Sequence, residues 1–351
     1  MRQFDYSFLI KGGIPAEIMN LAMGIGELKT LAALRKDDFH EVFTELESVA
    51  KVQSVKGSNA IEGIVSTDKR IQEIVNRNSA PVDHSEMEIA GYRDALDLIH
   101  RAHDRMQITE EEILHLHSVM QRYVADPLGG AYKTQDNVIM EVVNGVRTVR
   151  FDPLSAAETP LAMRQMLAAY REAECDGRIN SLVLIPCFIL DFLCIHPFWD
   201  GNGRISRLLS LLLLYRNGLD AGKYVSFEEQ INKHKASYYE ALRLSSIGWQ
   251  EGKNDYMPFV KDFIVTLYLC YKELDDRFAV VQGKKFSKEH RIEATLLNSL
   301  LPMTKRDLLT LLPDVSETTV ERVLGSLLKE GKIQKLGGNR NASYVKAERE
   351  S

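Results

Sequence analysis

Apolar residues recur at spacings of three and four through most of this chain, a period that suits amphipathic helices and little else. Segments such as EVFTELESVAKVQ, HSEMEIAGYRDALDLIHRAHDRM, TEEEILHLHSVMQRY, RISRLLSLLLLYRNG and ASYYEALRLSSIGW all carry such a stripe. Punctuation agrees with this: Thr109 followed by Glu112 reads as a capping box, and Asn217-Gly218 as a helix stop. One stretch breaks the rhythm. In GGAYKTQDNVIMEVVNGVRTVRFDP, residues 129–153, Val- and Ile-rich halves flank Asn144-Gly145, a dipeptide favoured in two-residue hairpin turns. Two strands alone are marginal in water, so the hairpin is predicted to lean on the helical body as a flap. The expected fold class is therefore mainly α, with a β-hairpin flap.

The composition, 351 residues with 45% hydrophobic and 26% charged, excludes a disordered or fibrous chain and leaves room for two or three domains. The opening MRQFDYSFLIKGG contains Asp5 and no sustained apolar core, so it does not read as a secretory signal. The most apolar run, SLVLIPCFILDFLCI, is interrupted by Pro186 and Asp191 too soon for a membrane span, and a cytoplasmic location is expected. Cys175, Cys187, Cys194 and Cys270 lack metal-ligand spacing, and Cys187 and Cys194 read as buried packing thiols. Charge is uneven: residues 284–351 hold 13 Lys and Arg against 9 Asp and Glu, or +4, which leaves −9 of the total −5 for the remainder. This sign change suggests a separate C-terminal module. Its pattern of a short helix, a turn at Pro313-Asp314, a helix from Ser316 to Glu330 and two strands around Gly337-Gly338-Asn339 reads as a winged helix-turn-helix, with Asn339 to Asn341 in the wing. DNA contact and protein contact are both open for it, since +4 is modest for a dedicated DNA binder. The expected units are 1–105, an N-terminal helical region; 106–250, a core; 251–283, a helical connector; and 284–351, the winged helix.

The most informative stretch is HPFWDGNGRISR, residues 196–207, directly after the apolar run. A helix beginning near Gly203 or Arg204 presents unpaired N–H groups and a partial positive charge. Gly201 and Gly203 let the backbone approach a ligand closely, so the turn has the makings of an anion nest. Arg204 and Arg207 share a helical face and can grip further phosphate oxygens. Asp200 places a carboxylate beside a polyphosphate site, which a magnesium ion would explain. His196 is the nearest base, and its ordinary pKa suits proton abstraction near neutral pH. No G-K-[ST] follows, and an apolar helix precedes rather than a strand, so neither the Walker nor the dinucleotide pattern applies. From the residues alone, this is a nucleotide-phosphate site with a histidine base.

HPFWDGNGRISR resembles the HPFx[DE]GNGRxxR signature of the Fic family at every specified position. Members of that family are mostly helical and transfer AMP from ATP to a hydroxyl side chain of a target protein. The resemblance, spanning about residues 1–280, implies that His196 deprotonates the target hydroxyl and that Asp200 holds Mg2+. It further implies that Gly201, Asn202 and Gly203 form the anion nest, with Arg204 on the α- and β-phosphates and Arg207 on the γ-phosphate. Asn232, Tyr238 and Tyr239 are the implied nucleoside contacts. The hairpin is similar to the family's target-aligning flap, with Lys133, Val138 and Ile139 as target-binding candidates. Lys133 stands where Arg is common, and Asp152-Pro153 where two prolines are common. Gly203 replaces the lysine of kinase-like relatives, which favours AMP over phosphoryl transfer.

Residues 58–63, SNAIEG, read by themselves as a capped helix with a solvent-facing glutamate. Beside the signature, they resemble the [ST]xxxE[GN] inhibitory motif, in which the glutamate pairs with the second arginine. Ser58, Glu62 and Gly63 are thus the inhibitory candidates, with Glu62 competing for Arg207 against the γ-phosphate. The expectation is a self-inhibited protein adenylyltransferase with an N-terminal inhibitory helix and a C-terminal winged helix. A nucleotide-sensing transcriptional regulator, or transfer of a different nucleotide-linked group, are the alternatives. The expected partners are ATP and a target protein; a homodimer is plausible as well, although no residue argues for it. His100 with His103, and His115 with His117, lack the spacing for a metal pair and read as core or surface helix positions.

Overall fold

The structure, a computed structural model, describes residues 2–124, 129–143, 146–282, 287–297, 299, 302–312, 314–338 and 342–347. Six helices open the chain: α1 (Phe8–Lys11), α2 (Ala16–Asp38), α3 (His40–Ile61), α4 (Asp68–Arg77), α5 (His84–Ala102) and α6 (Glu110–Gln121). The hairpin follows as β1 (Ile139–Val143) and β2 (Val146–Phe151), and then α7 (Thr159–Cys175), α8 (Ser181–Ile195) and α9 (Asn202–Arg216). Beyond them lie α10 (Phe227–Lys233), α11 (Lys235–Ser246) and α12 (Met257–Gln282). The remainder is α13 (Lys288–Leu297), β3 (Met303–Thr304), α14 (Lys305–Leu311), α15 (Glu317–Lys329), β4 (Ile333–Leu336) and β5 (Ser343–Lys346).

Mainly helical architecture is thus as expected from the spacing. Thr109 accepts a hydrogen bond from Glu112 N–H at the start of α6, and Gly218 ends α9 with φ 68°. The hairpin pairs antiparallel, Val143 opposite Val146, with an irregularity between Ile139 and Met140; its turn at 144–145 lies outside the described residues.

Two hydrophobic cores form. The larger runs from Tyr6 to Phe278 and has α8 and α9 at its centre, where nearly every side chain of both helices is buried. Cys187, Cys194 and Cys270 are buried within it, while Cys175 is exposed. The smaller core joins Ile292, Leu308, Val320, Leu324 and Ile333 of the C-terminal module. There the antiparallel sheet has the order β3-β5-β4, and the sequence of elements is compatible with the expected winged helix, whose wing at 339–341 lies outside the described residues. Leu311 of α14 touches both cores, and a cavity of about 490 Å³ opens between this module, α3 and α12. Among the described residues, no helix is long and apolar enough to cross a membrane.

Asp191 was legible only as an interruption of the apolar run. Fully buried in α8, it accepts hydrogen bonds from Tyr6 Oη (2.8 Å), Trp249 Nε1 (2.7 Å) and Tyr256 Oη, and pairs with Arg2 at 3.5 Å. Arg2 in turn donates to Trp249 O and Tyr256 Oη. A carboxylate buried at this depth needs such partners. Through them it ties the N-terminal segment and the loop after α11 to the helix that presents the signature.

Candidate active site

The site begins where α8 runs out of apolar residues. His196 takes φ 54°, ψ 60°, a left-handed conformation uncommon outside glycine, and Pro197 closes the ordinary helical region to it. Such a backbone outlier persists only where its surroundings impose it. His196 Nδ1 lies 3.3 Å from Leu193 O, so an Nδ1–H tautomer donates there and leaves the Nε2 lone pair available. Burial pushes the imidazole pKa down to about 4, with the Lys133 charge adding to the effect. His196 is therefore neutral near pH 7, as a base must be.

Helix α9 starts at Asn202, slightly before the Gly203 or Arg204 expected, with Gly201 as N-cap at φ 79°. A Cβ on Gly201 would meet Met120 Cε at 2.5 Å, so both the conformation and the space demand glycine. The first intrahelical bond is Ile205 N–H to Gly201 O, which leaves the preceding amides without helical partners and forms an anion-attracting end. Asn202 contributes its backbone to that end, while its side chain staples the loop: Oδ1 accepts from Phe198 N–H (2.9 Å) and Nδ2 donates to Phe198 O (2.8 Å).

Arg204 is 2% exposed, and its Nη2 donates to Asp200 Oδ2 at 2.8 Å and faces Glu88 Oε1 at 3.1 Å. Its Nε and Nη1 are buried with no hydrogen-bond partner among the described residues. Buried guanidinium donors left unpaired are costly, and an anion is what satisfies them. Arg207 is also buried but is held on one side: Nε donates to Ser58 Oγ (2.9 Å), and Nη2 to Ser58 O (3.1 Å) and Glu62 Oε1 (2.7 Å). Burial opposes its charge, yet the Glu62 carboxylate, together with Tyr238 and Tyr92, offsets that and raises its pKa.

SNAIEG departs from its simple reading as a helix start. Ser58 lies in the last turns of α3, Glu62 is the C-cap, and Gly63 follows at φ 81°. Ile64 N–H reaches Asn59 O and Gly63 N–H reaches Ala60 O, the paired bonds of a Schellman ending that needs glycine at this position. Lys235 Nζ also caps Ile61 O at 2.6 Å. The ending sets Glu62 against the nest: a Cβ on Gly203 would lie 2.3 Å from Glu62 Oε1.

Two residues hold the loop from below. His117 stacks on Phe198, with ring centroids 3.8 Å apart and 10° between planes. Its Nδ1 accepts from Gly130 N–H at 3.0 Å, so Nε2–H donates to Asp200 O at 3.2 Å. From the sequence it is only a helix position, because nothing in local spacing tells that α6 runs beneath the signature. Lys133, expected to face a target, is instead 3% exposed. Its Nζ donates to Asn137 Oδ1 (2.9 Å) and reaches Ile195 O (3.5 Å), and its backbone N–H donates to Pro197 O (2.9 Å). Burial draws its ammonium pKa down to about 8. Lys133 lies inward because Asn137 Oδ1 and the last carbonyl of α8, Ile195 O, accept from the ammonium where solvent does not reach. Val138 is half exposed and Ile139 opens β1, so these two remain on an accessible flap.

Of the nucleoside candidates, Tyr238 is buried, with its ring 5.4 Å from that of Tyr239 and 5.9 Å from Phe259. Its charge environment includes Arg207 and Glu62. Tyr239 is half-buried beneath Arg150, 4.5 Å from the ring. Asn232 Nδ2 reaches Glu229 Oε2 on its own helix at 3.4 Å, and no described contact ties it to the loop.

Residues 107–214 match the Fic/DOC family. The chain carries a Fic domain. Its relatives include "Protein adenylyltransferase Fic" of Drosophila ananassae, 30% identical over 158 residues that make up 45% of this chain and 27% of that protein. The protein of the same name from Drosophila persimilis is 28% identical over 231 residues, 63% of this chain and 41% of that one. The chain therefore spans well under half the length of these relatives. Among solved structures, a Fic family protein from Desulfovibrio desulfuricans matches with a TM-score of 0.61 and 19% identity, over 97% of this chain and 98% of that one. The match shows the same fold. The Fic domain includes α8, the His196 loop and most of α9, whereas Ser58, Glu62 and Glu88 reach the loop from helices before its start.

Proposed function

We propose that this chain is a self-inhibited protein adenylyltransferase, which moves AMP from ATP to the hydroxyl of a Tyr, Ser or Thr in a target protein and releases pyrophosphate. The observation that carries this reading is the state of the two arginines: Arg204 has buried donors lacking a partner, while Arg207 is held by Ser58 and Glu62 over Gly203. Phosphate oxygens would satisfy the first, and Glu62 stands in for them at the second.

The chemistry follows from the residues. Neutral His196, through Nε2, accepts the proton as the hydroxyl oxygen attacks the α-phosphorus; the bond to the leaving pyrophosphate breaks, and AMP stays on the target. Arg204 and the first-turn amides of α9 receive the charge that builds on the phosphates. While Glu62 holds Arg207, the γ-phosphate lacks its partner, and the α-phosphate is not aligned with the attacking oxygen. Val138 and Ile139 would align the target's backbone along the flap, and Tyr238, Tyr239 and Asn232 would face the nucleoside.

Magnesium fits the donor set. Among the described residues no group of three or more His, Cys, Asp or Glu could hold a metal, but Asp200 presents a 60% exposed carboxylate on the loop. One or two carboxylates plus substrate phosphates is a usual magnesium arrangement. Bound there, the ion would offset phosphate charge.

The test is self-labelling of wild type, Glu62→Gly and His196→Ala with labelled ATP, UTP and a nucleotide-linked phosphocholine. Label from ATP that rises in Glu62→Gly and vanishes in His196→Ala supports the reading. A preference for another donor would move the assignment to that group, and no labelling in any variant would favour a nucleotide sensor.

A further inference from the structure

Arg204 is shared between two carboxylates in very different settings. Asp200 Oδ2, 2.8 Å from Nη2, belongs to a side chain 60% exposed on the loop; Glu88 Oε1, 3.1 Å from the same nitrogen, belongs to one only 11% exposed in α5. Helix α5 is packed into the core here, with Ile89, Ala90 and Tyr92 fully buried beside Glu88. The other Glu88 oxygen has His84 Nε2 at 4.0 Å, toward solvent. Glu88 lies outside both sequence motifs and outside the matched domain.

We propose that Glu88 is a positioning residue for nucleotide binding: it anchors Arg204 by Nη2 so that the unpartnered Nε–H and Nη1–H groups face the phosphates. The proposal rests on the nucleotide-binding reading of the site. A guanidinium fork is planar and rigid, so fixing one nitrogen fixes the direction of the other two. Asp200 cannot supply this anchor alone. It is solvated, and a cation drawn to its carboxylate would compete with Arg204 for the same oxygens. Glu88 is sheltered and bound to a core helix, so it stays the anionic partner of Arg204 in either case.

The test is ATP affinity measured by calorimetry, with magnesium and in chelator, in the Glu62→Gly background, where Arg207 is released. Glu88→Gln keeps the shape and an acceptor oxygen, so it should melt with its parent, yet weaken ATP binding about tenfold; Glu88→Ala should weaken it further. The loss should persist in chelator, when Asp200 is the only other partner of Arg204 among the described residues. In an Arg204→Ala background, Glu88→Gln should have no further effect, because the two residues act as one unit. ATP affinity within about twofold of the parent for both Glu88 variants overturns the proposal, as does an undiminished Glu88 effect once Arg204 is gone. If Glu62→Gly itself binds no ATP, the nucleotide reading has failed and this proposal falls with it; if it binds ATP and Glu88 is silent, only the proposal falls.

Discussion

Replacing Glu62 by glycine should release Arg207 in part rather than wholly. The substitution removes the 2.7 Å contact to Nη2 but leaves both Ser58 contacts, and the Schellman ending at Gly63 does not depend on the Glu62 side chain. A hydrogen bond between charged groups contributes about 1.5–3 kcal/mol. Glu62 is one-third exposed, so screening puts the value toward the lower half of that range. At about 1.4 kcal/mol per factor of ten, the arginine should become available roughly 10- to 40-fold more often. Glu62→Gly also clears the carboxylate from above Gly203, whereas Glu62→Gln removes the charge and keeps the bulk. The initial rate of α-label incorporation from ATP should therefore rank glycine above glutamine above wild type. Equal rates in all three, with His196 still required, would refute the idea that Glu62 restrains the site.

Three further outcomes follow. The His196 imidazole, titrated by NMR, should stay neutral from pH 7 down to about 4, below its ordinary value near 6.5; since the unfolded chain protonates first, the stability linked to this group is present above about pH 6.5 and lost as pH falls through 4, and a midpoint near 6.5 would contradict the burial argument. His117→Phe keeps a ring against Phe198 but leaves Gly130 N–H and Asp200 O unpaired, so it should lower stability by about 1–3 kcal/mol and, at a temperature where the variant is still folded, cut labelling in the Glu62→Gly background at least about tenfold; unchanged labelling would show that the loop does not need this support. Asp191→Ala strands Tyr6, Tyr256, Trp249 and Arg2 in the core and should cost about 3–5 kcal/mol in urea unfolding, an effect that a loss under about 1 kcal/mol would contradict.

Much of this was legible because it is local. Helical period, the capped start of α6, the stop at Gly218 and the hairpin all depend on residues within a few positions of one another. The signature was readable for the same reason, since twelve consecutive residues make the loop, and the Glu62 partnership was readable through a second short motif. What was not legible depends on packing between distant segments. Lys133 turned inward because Asn137 Oδ1 and the Ile195 carbonyl at the end of α8 accept from its ammonium. His117 became a support for the loop only once α6 was laid beneath Phe198. Asp191 and Glu88 looked like ordinary charges, one in an apolar run and one on an amphipathic helix, until Arg2 and Arg204 were brought to them. Charged residues that pair across the fold leave no trace in the local pattern, because each looks like a misplaced or surface charge until its partner arrives.

The most direct measurement is to incubate the Glu62→Gly protein with ATP labelled on both the α- and γ-phosphates and to count the two labels on protein. Retention of α-label with no γ-label, abolished by His196→Ala, is the predicted result. Retention of γ-label without α-label would mean phosphoryl transfer and would contradict the assignment of AMP as the transferred group.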